Sequence, residues 1–418
     1  MKIKSFVKYL PIFYIASLIL LSLGHLIFAF RTNNYFSNDD FYVLAHFKNH
    51  GLGLNVFDFF LKGDMFGFRK ILGYLVFGVL LGNFGVNPNA FMFTNFLLHT
   101  VNLVLLFMIV RFLTKKDFTA FFLAVIYNKF YLFYFSNIHE YLGAFFCLLS
   151  IYLFLKFPKK IYLSLAAYIL ALLSKELTFS LPFLLLAISY VRGSDKKKTI
   201  PFFIVMAGYV IYQGYFVLST KVLSLSSSYR LLFSVQNLLK GVVFYFGYGL
   251  PALFAVLPLF TKKYKPILIL GVSFLTLLPV LFFVNRREMY YLYLPITYIL
   301  IYLSYYLPKL SLKTALIYVV VLFLFGGRSV FPKVAWQIFP NIQKDSMGEV
   351  VGIVEKDLSS NPRTATINLR KVNIERDTWL MLNENVLDLF VSKDVSSKYS
   401  FTYVENLRTV YANRIQQI

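Results

Sequence analysis

The chain has 418 residues, 58% of them hydrophobic, with 48 Phe and 31 Tyr, and a mean hydropathy of +0.66. Its 42 Lys and Arg against 19 Asp and Glu give a formal charge of +23. The basic residues fall in short clusters between apolar runs, which argues against a nucleic-acid surface and for cytoplasmic loops of a membrane protein. One cysteine, Cys147, excludes an internal disulfide or a thiolate-rich metal site.

Lys2, Lys4 and Lys8 precede an apolar stretch without a small-residue cleavage signature. This predicts an uncleaved first helix that starts in the cytoplasm. Runs such as Ile12–Phe30, Phe91–Val110, Phe202–Leu218 and Ile267–Val284 are long enough to cross a hydrocarbon core of ~30 Å at ~1.5 Å per residue. Further basic clusters stand at Arg111/Lys115/Lys116, Lys156/Lys159/Lys160, Arg192/Lys196/Lys197/Lys198, Lys262/Lys263/Lys265 and Lys309/Lys313. Keeping every cluster inside requires two crossings between consecutive clusters. The predicted helices are 9–30, 90–112, 118–136, 141–157, 161–174, 177–191, 200–218, 237–260, 266–284, 289–307 and 312–330. These eleven spans make an all-α polytopic body over residues 1–332, with the N-terminus cytoplasmic. The apolar segment 70–84 is surplus and reads as a juxtamembrane or re-entrant helix within a first outer loop, 31–89.

Past residue 332 the balance changes to 11 Lys and Arg against 10 Asp and Glu. Met347–Leu358 and Asp377–Val391 have helical spacing, and Thr364–Leu369 and Tyr399–Val404 read as strands. Residues 333–418 are therefore expected to form a small extracytoplasmic α/β domain.

Residues 1–332 hold 31 Lys and Arg but nine Asp and Glu, so each acid there is informative. Asp117 and Asp195 fall in inner loops, whereas Asp39, Asp40, Asp58, Asp64, Glu140, Glu176 and Glu288 fall at the outer face. Arg69, Lys70, Lys175, Arg286 and Arg287 are outer-face cations that break the positive-inside pattern. Ionisable groups at a membrane boundary are candidates for function, and the set reads as a polar site at the outer face. Solvated loop residues are the plainer alternative for any one of them.

Several stretches, taken in order, resemble the GT-C superfamily of integral-membrane glycosyltransferases. They are Asn38-Asp39-Asp40; Phe68-Arg69 with Phe77-Gly78, Gly85-Val86-Asn87-Pro88 and Asn95 to His99; Ser174-Lys175-Glu176 before Leu181-Pro182; and Arg287 with Tyr290-Tyr291-Leu292-Tyr293-Leu294-Pro295. The likeness covers about residues 30–300 and is closest to the protein O-mannosyltransferases and the transmembrane and tetratricopeptide-repeat mannosyltransferases. The chain departs from that pattern where Lys70 replaces a proline, where His139-Glu140 stands in place of an aspartate, and where no repeat array follows the membrane part.

The resemblance implies a polyprenyl-phosphate sugar as donor and a protein, lipid or glycan as acceptor. It needs neither a cofactor nor a metal, and the expected setting is the cell membrane. The donor phosphate calls for cations, here Lys175, Arg286, Arg287 and Arg69; arginine grips phosphate through paired N–H groups and lysine acts as a point charge. The acceptor hydroxyl must lose a proton as it attacks the anomeric carbon, a task for a carboxylate within ~3 Å. The resemblance points to Asp39 as that base, with Asp40 orienting it or the acceptor. The same residues also fit a helix N-cap before Phe41–Phe47. His139 and Glu140 are candidates for acceptor contact or support of the base. Asn95, His99 and Asn102 share one helix face, fitting a site or interhelical hydrogen bonding. A transporter or flippase would instead place charges near the midplane of two matched halves. A polysaccharide polymerase or ligase would use outer-loop arginines without the Asp pair, and a structural scaffold gives no reason for paired acids.

Overall fold

The computed structural model describes residues 3–31, 39–50, 70–131, 137–219, 230–246, 250–284 and 287–307. In the C-terminal region it describes Gly352, Lys356, 372–373, 399–404 and 409–414. The helices are α1 (Ile3–Arg31), α2 (Asp39–His50), α3 (Ile71–Phe84), α4 (Pro88–Thr114), α5 (Asp117–Asn128), α6 (Ile138–Lys156) and α7 (Ile161–Ser174). They continue with α8 (Leu181–Arg192), α9 (Ile200–Ser219), α10 (Val235–Phe246), α11 (Leu250–Thr261), α12 (Ile267–Leu281) and α13 (Tyr293–Ser304). Among the described residues three stretches are long and apolar enough to cross a membrane: Tyr9–Arg31, Pro88–Thr114 and Ile138–Lys156.

Local chemistry sets the ends of these helices. Asn87 caps α4, its side chain accepting from the Asn89 N–H at 3.0 Å, with Pro88 in the first turn. Lys115 closes α4 in the left-handed region, φ 61°. Pro182 opens α8 and Gly193, φ 69°, ends it. The expected span 118–136 stops at Asn128, whose backbone carbonyl pairs with His25 of α1 at 2.7 Å. That side-chain contact draws on a carbonyl at the helix end, where the ladder leaves it unpaired. The surplus segment 70–84 is helical, as α3. The expected helix 237–260 is seen as α10 and α11, and 312–330 lies outside the described residues.

Alongside a core of buried apolar residues such as Leu103, Leu106 and Leu184, some polar side chains also point inward, while many large apolar ones point outward. Ser22 of α1 is fully buried against Thr100 of α4, 2.9 Å away, while Ile12, Phe13 and Leu20 on the same helix are exposed. On α9, Ile204, Ile211 and Leu218 are exposed, Ile211 by 74%. Apolar patches of this kind need a cover other than water. Helices approach closely through small hydroxyls: Ser150 of α6 and Ser164 of α7 each donate to the other's backbone carbonyl at 2.7 Å. The deepest large side chains are tyrosines, among them Tyr127, Tyr141, Tyr168, Tyr293 and Tyr298. A buried phenol usually finds a partner for its hydroxyl. Tyr168 donates to the Phe179 carbonyl, Tyr293 pairs with His99 and Tyr298 with Cys147, so these three tie elements together as well as filling space.

In the C-terminal region three strands, β1 (Val372–Asn373), β2 (Tyr399–Val404) and β3 (Thr409–Arg414), form an antiparallel sheet in the order β1-β3-β2. Tyr399–Val404 is the strand the sequence predicts. The expected strand Thr364–Leu369 and helix Asp377–Val391 lie outside the described residues, as does all of Met347–Leu358 except Gly352 and Lys356.

Candidate active site

The turn from α7 to α8 reverses the chain within six residues. α7 ends at Ser174, Lys175 is extended (φ −154°, ψ 132°), and Glu176–Ser180 forms a single 3-10 turn. The turn is held by its own hydrogen bonds. The Lys175 carbonyl accepts from the Thr178 N–H at 3.2 Å and the Thr178 hydroxyl at 2.7 Å. From α12, Thr276 donates to Ser180 at 2.8 Å. The helix is broken at one extended residue, and that residue carries the cation.

Lys175 Nζ lies 2.5 Å from Glu140 Oε1 in the first turn of α6 and 3.1 Å from Glu176 Oε1. The Lys175 and Glu140 side chains are 4% and 3% exposed, so the pair is desolvated rather than a surface bridge. Burial works against the ammonium, but the carboxylates of Glu140 and Glu176 outweigh it and hold Lys175 above the usual lysine range. For Glu176, burial opposes the carboxylate; Lys175 and then Lys70 overcome it and leave the group below its ordinary value. The rings of Tyr291 and Tyr290 face the ammonium at 5.1 and 5.6 Å.

Two glycines make room for this arrangement. A Cβ on Gly143 would stand 2.7 Å from Lys175 Cβ, and one on Gly73 would stand 1.7 Å from His139 Nδ1. Gly73 thereby seats α3 against the first turn of α6, where His139 is buried beside the rings of Tyr74 and Phe77. Lys70, just before α3, acts electrostatically on Glu140, Glu176 and His139.

Arg287 donates through Nη2 to Asn237 Oδ1 of α10, and Asn237 in turn donates to the Phe282 carbonyl at 2.8 Å. Its Nε is buried with no hydrogen bond among the described residues. Arg287 and Tyr290 both act on Tyr245, so this group adjoins the lysine through Tyr290. Next to Glu176 a cavity of about 260 Å³ is lined mainly by apolar side chains, including Leu177, Phe179, Pro279, Val280 and Tyr291, with Gln213 of α9 as a second polar group.

The other expected site residues divide. Asp39 stands at the start of α2; its side chain, on which both the base and the cap readings turn, lies outside the described residues. Asp40 is fully buried, and α2 packs on α3. Arg69 and Arg286 lie outside the described residues. Asn95 is buried. His99 belongs to a separate neutral network: Nδ1 lies 2.8 Å from Tyr293 Oη and Nε2 3.3 Å from Asn128 Oδ1. Asn102 donates to the Tyr141 carbonyl at 3.0 Å and to Tyr293 Oη at 3.3 Å. For His99 and Asn102 the interhelical alternative describes what is seen.

Sequence reasoning assigned no role to Asn237 or Gly143, and it counted Lys70 among the outer-face cations without placing it in the site. An Asn inside an apolar helix and a Gly three residues after a buried Glu were the available signals. No family model, curated protein or solved structure matches this chain, so a functional reading rests on this geometry and on the motifs.

Proposed function

We propose that the chain is a membrane glycosyltransferase that moves a sugar from a polyprenyl-phosphate donor to an acceptor hydroxyl at the outer membrane face. The observation that carries the reading is the buried Glu140–Lys175 pair at a helix break, joined by the partly exposed Glu176, which lines an apolar cavity. A lipid-linked phosphate needs those two surroundings side by side: a cation for the head and an apolar groove for the tail. In this reading eleven spans place the N-terminus in the cytoplasm and the strand-bearing C-terminal region outside. The charges stand at helix ends, which favours transfer at a surface over transport through the midplane.

The acceptor oxygen attacks the anomeric carbon and gives its proton to Asp39. The bond from that carbon to the phosphate oxygen breaks, and polyprenyl phosphate leaves with the electron pair. Lys175 and Arg287 meet the charge that grows on the departing phosphate, with Arg286 and Arg69 as further cations. Lys175 stays cationic throughout because its proton affinity is raised. Glu140 and Glu176 hold the ammonium in place and keep its charge from repelling Arg287 and Lys70.

Membranes carrying the chain are expected to transfer label from a polyprenyl-phosphate hexose to an acceptor fraction. Asp39→Asn should abolish that transfer at unchanged expression, and Arg287→Ala should weaken donor saturation more than acceptor saturation. Full transfer by Asp39→Asn would remove the base assignment, and the absence of any transfer by the parent chain would remove the reading.

A further inference from the structure

Away from that site, the ends of α4, α6 and α8 meet. Three basic clusters far apart in sequence come together there. Arg111 and Lys115 close α4, Lys156 ends α6, and Arg192 ends α8 with its guanidinium carbon 5.0 Å from the Phe112 ring centroid. Between them lies a cavity of about 460 Å³, lined by Met108, Arg111, Phe112, Asp117, Tyr152 and Lys156 together with Lys115.

Cations near helix C-termini offset the partial negative charge of unpaired carbonyls, which accounts for one per helix end. It does not account for a cavity ringed by three cations and one carboxylate. Arg111 uses that carboxylate, its Nε 2.5 Å from Asp117 Oδ1. Lys115 rests on Phe112 at 4.5 Å, and Lys156 donates to the Tyr152 hydroxyl at 2.6 Å. Two of the three lining cations thus rest on neutral groups, and an ammonium has three protons to give.

We infer that this cavity binds the phosphate of an anionic lipid headgroup. The shared chemistry is a phosphate held by two ammonium groups. A lipid is the source argued here because α4 and α6 are two of the helices long and apolar enough to span a bilayer. Their last turns then stand at headgroup depth, where basic pockets between helices hold phospholipid heads. Met108 and Phe112 supply an apolar wall for the glycerol and upper acyl carbons. The inference rests on the membrane reading but not on sugar transfer.

The full chain in detergent is titrated with short-chain phosphatidylglycerol, with phosphatidylcholine and with inorganic phosphate, and binding is read from the shift in unfolding temperature and from retained lipid in native mass spectra. Phosphatidylglycerol should bind and phosphatidylcholine should not. K115Q/K156Q, which keeps side-chain length nearly unchanged, should weaken phosphatidylglycerol binding about thirtyfold. K159Q/K160Q removes two exposed charges beside the cavity but not from its lining, and should leave binding unchanged. Equal weakening by both pairs, or by neither, overturns the site. Inorganic phosphate binding as tightly as the lipid, with the same lysine dependence, overturns the lipid as occupant. Should K115Q/K156Q not fold, the single variants K115Q and K156Q must each weaken phosphatidylglycerol binding, and unchanged binding by both overturns the site.

Discussion

Two buried polar centres begin at neighbouring residues and follow different physics. Glu140 enters a charged group with Lys175 and Glu176, while the Tyr141 carbonyl accepts from Asn102 in a neutral network that includes His99, Asn128 and Tyr293. The neutral centre shares its hydrogen bonds among four helices, α4, α5, α6 and α13, and no charge has to be desolvated. That is an inexpensive way to bind helices together. The charged centre buries one carboxylate and one ammonium together, with the partly exposed Glu176 beside them, an arrangement that seldom outperforms apolar packing in stability. A fold that needed only cohesion had the neutral solution one residue away. The charged one is therefore where function is to be sought.

That contrast can be broken by substitution. The largest effect is expected for Lys175→Met, which leaves the buried Glu140 without its cation and should cost about 3–5 kcal/mol. Adding Glu140→Leu should recover part of the lost unfolding temperature without recovering transfer. Unchanged stability of Lys175→Met would mean the group is solvated, and the contrast would fall. Gly143→Ala comes next: its methyl would meet Lys175 Cβ at 2.7 Å, costing about 1–3 kcal/mol by overpacking. Transfer should fall further than the folded fraction does, since the lysine is displaced. His99→Ala should cost about 1–3 kcal/mol by removing one hydrogen bond each from Tyr293 and from the Asn128 side chain, with transfer per folded molecule retained. A selective loss of transfer there would place His99 in the site after all.

The smallest effect expected is that of pH. Lys175 lies above its ordinary value of 10.5, so its contribution is complete below about that pH and is lost as pH rises through the folded value. Glu176 lies below its ordinary value of 4.5, so its contribution is present above about that pH and is lost as pH falls through the folded value. In Lys175→Met, Glu140 and Glu176 both lose the cation that favours their charged forms, so the stability difference from the parent chain should grow as pH rises above about 4.5. A difference independent of pH there would break the contrast.

Much of the helical pattern was legible in the sequence. The span 161–174 coincides with α7, and 90–112 lies inside α4. Where the expected span 118–136 overshot, a long-range contact had intervened: Asn128 is engaged by His25 and His99, 103 and 29 residues away in sequence. The ionic residues Glu140, Lys175 and Glu176 were recognisable one by one from their places in an apolar chain. Their pairing was not, because Glu140 and Lys175 stand on different helices and nothing local couples them. The glycines under Lys175 and His139 were hidden for the same reason, since a glycine gives no sign of which side chain will fill its space.

The extended residue at the head of the α7–α8 turn has one more consequence. The Lys175 peptide oxygen is already committed to both the amide and the hydroxyl of Thr178. Its plane cannot swing without giving up both. The positive charge is thus mounted on a fixed pivot. Any change in the ion pair falls to the lysine side chain and to the acid on α6.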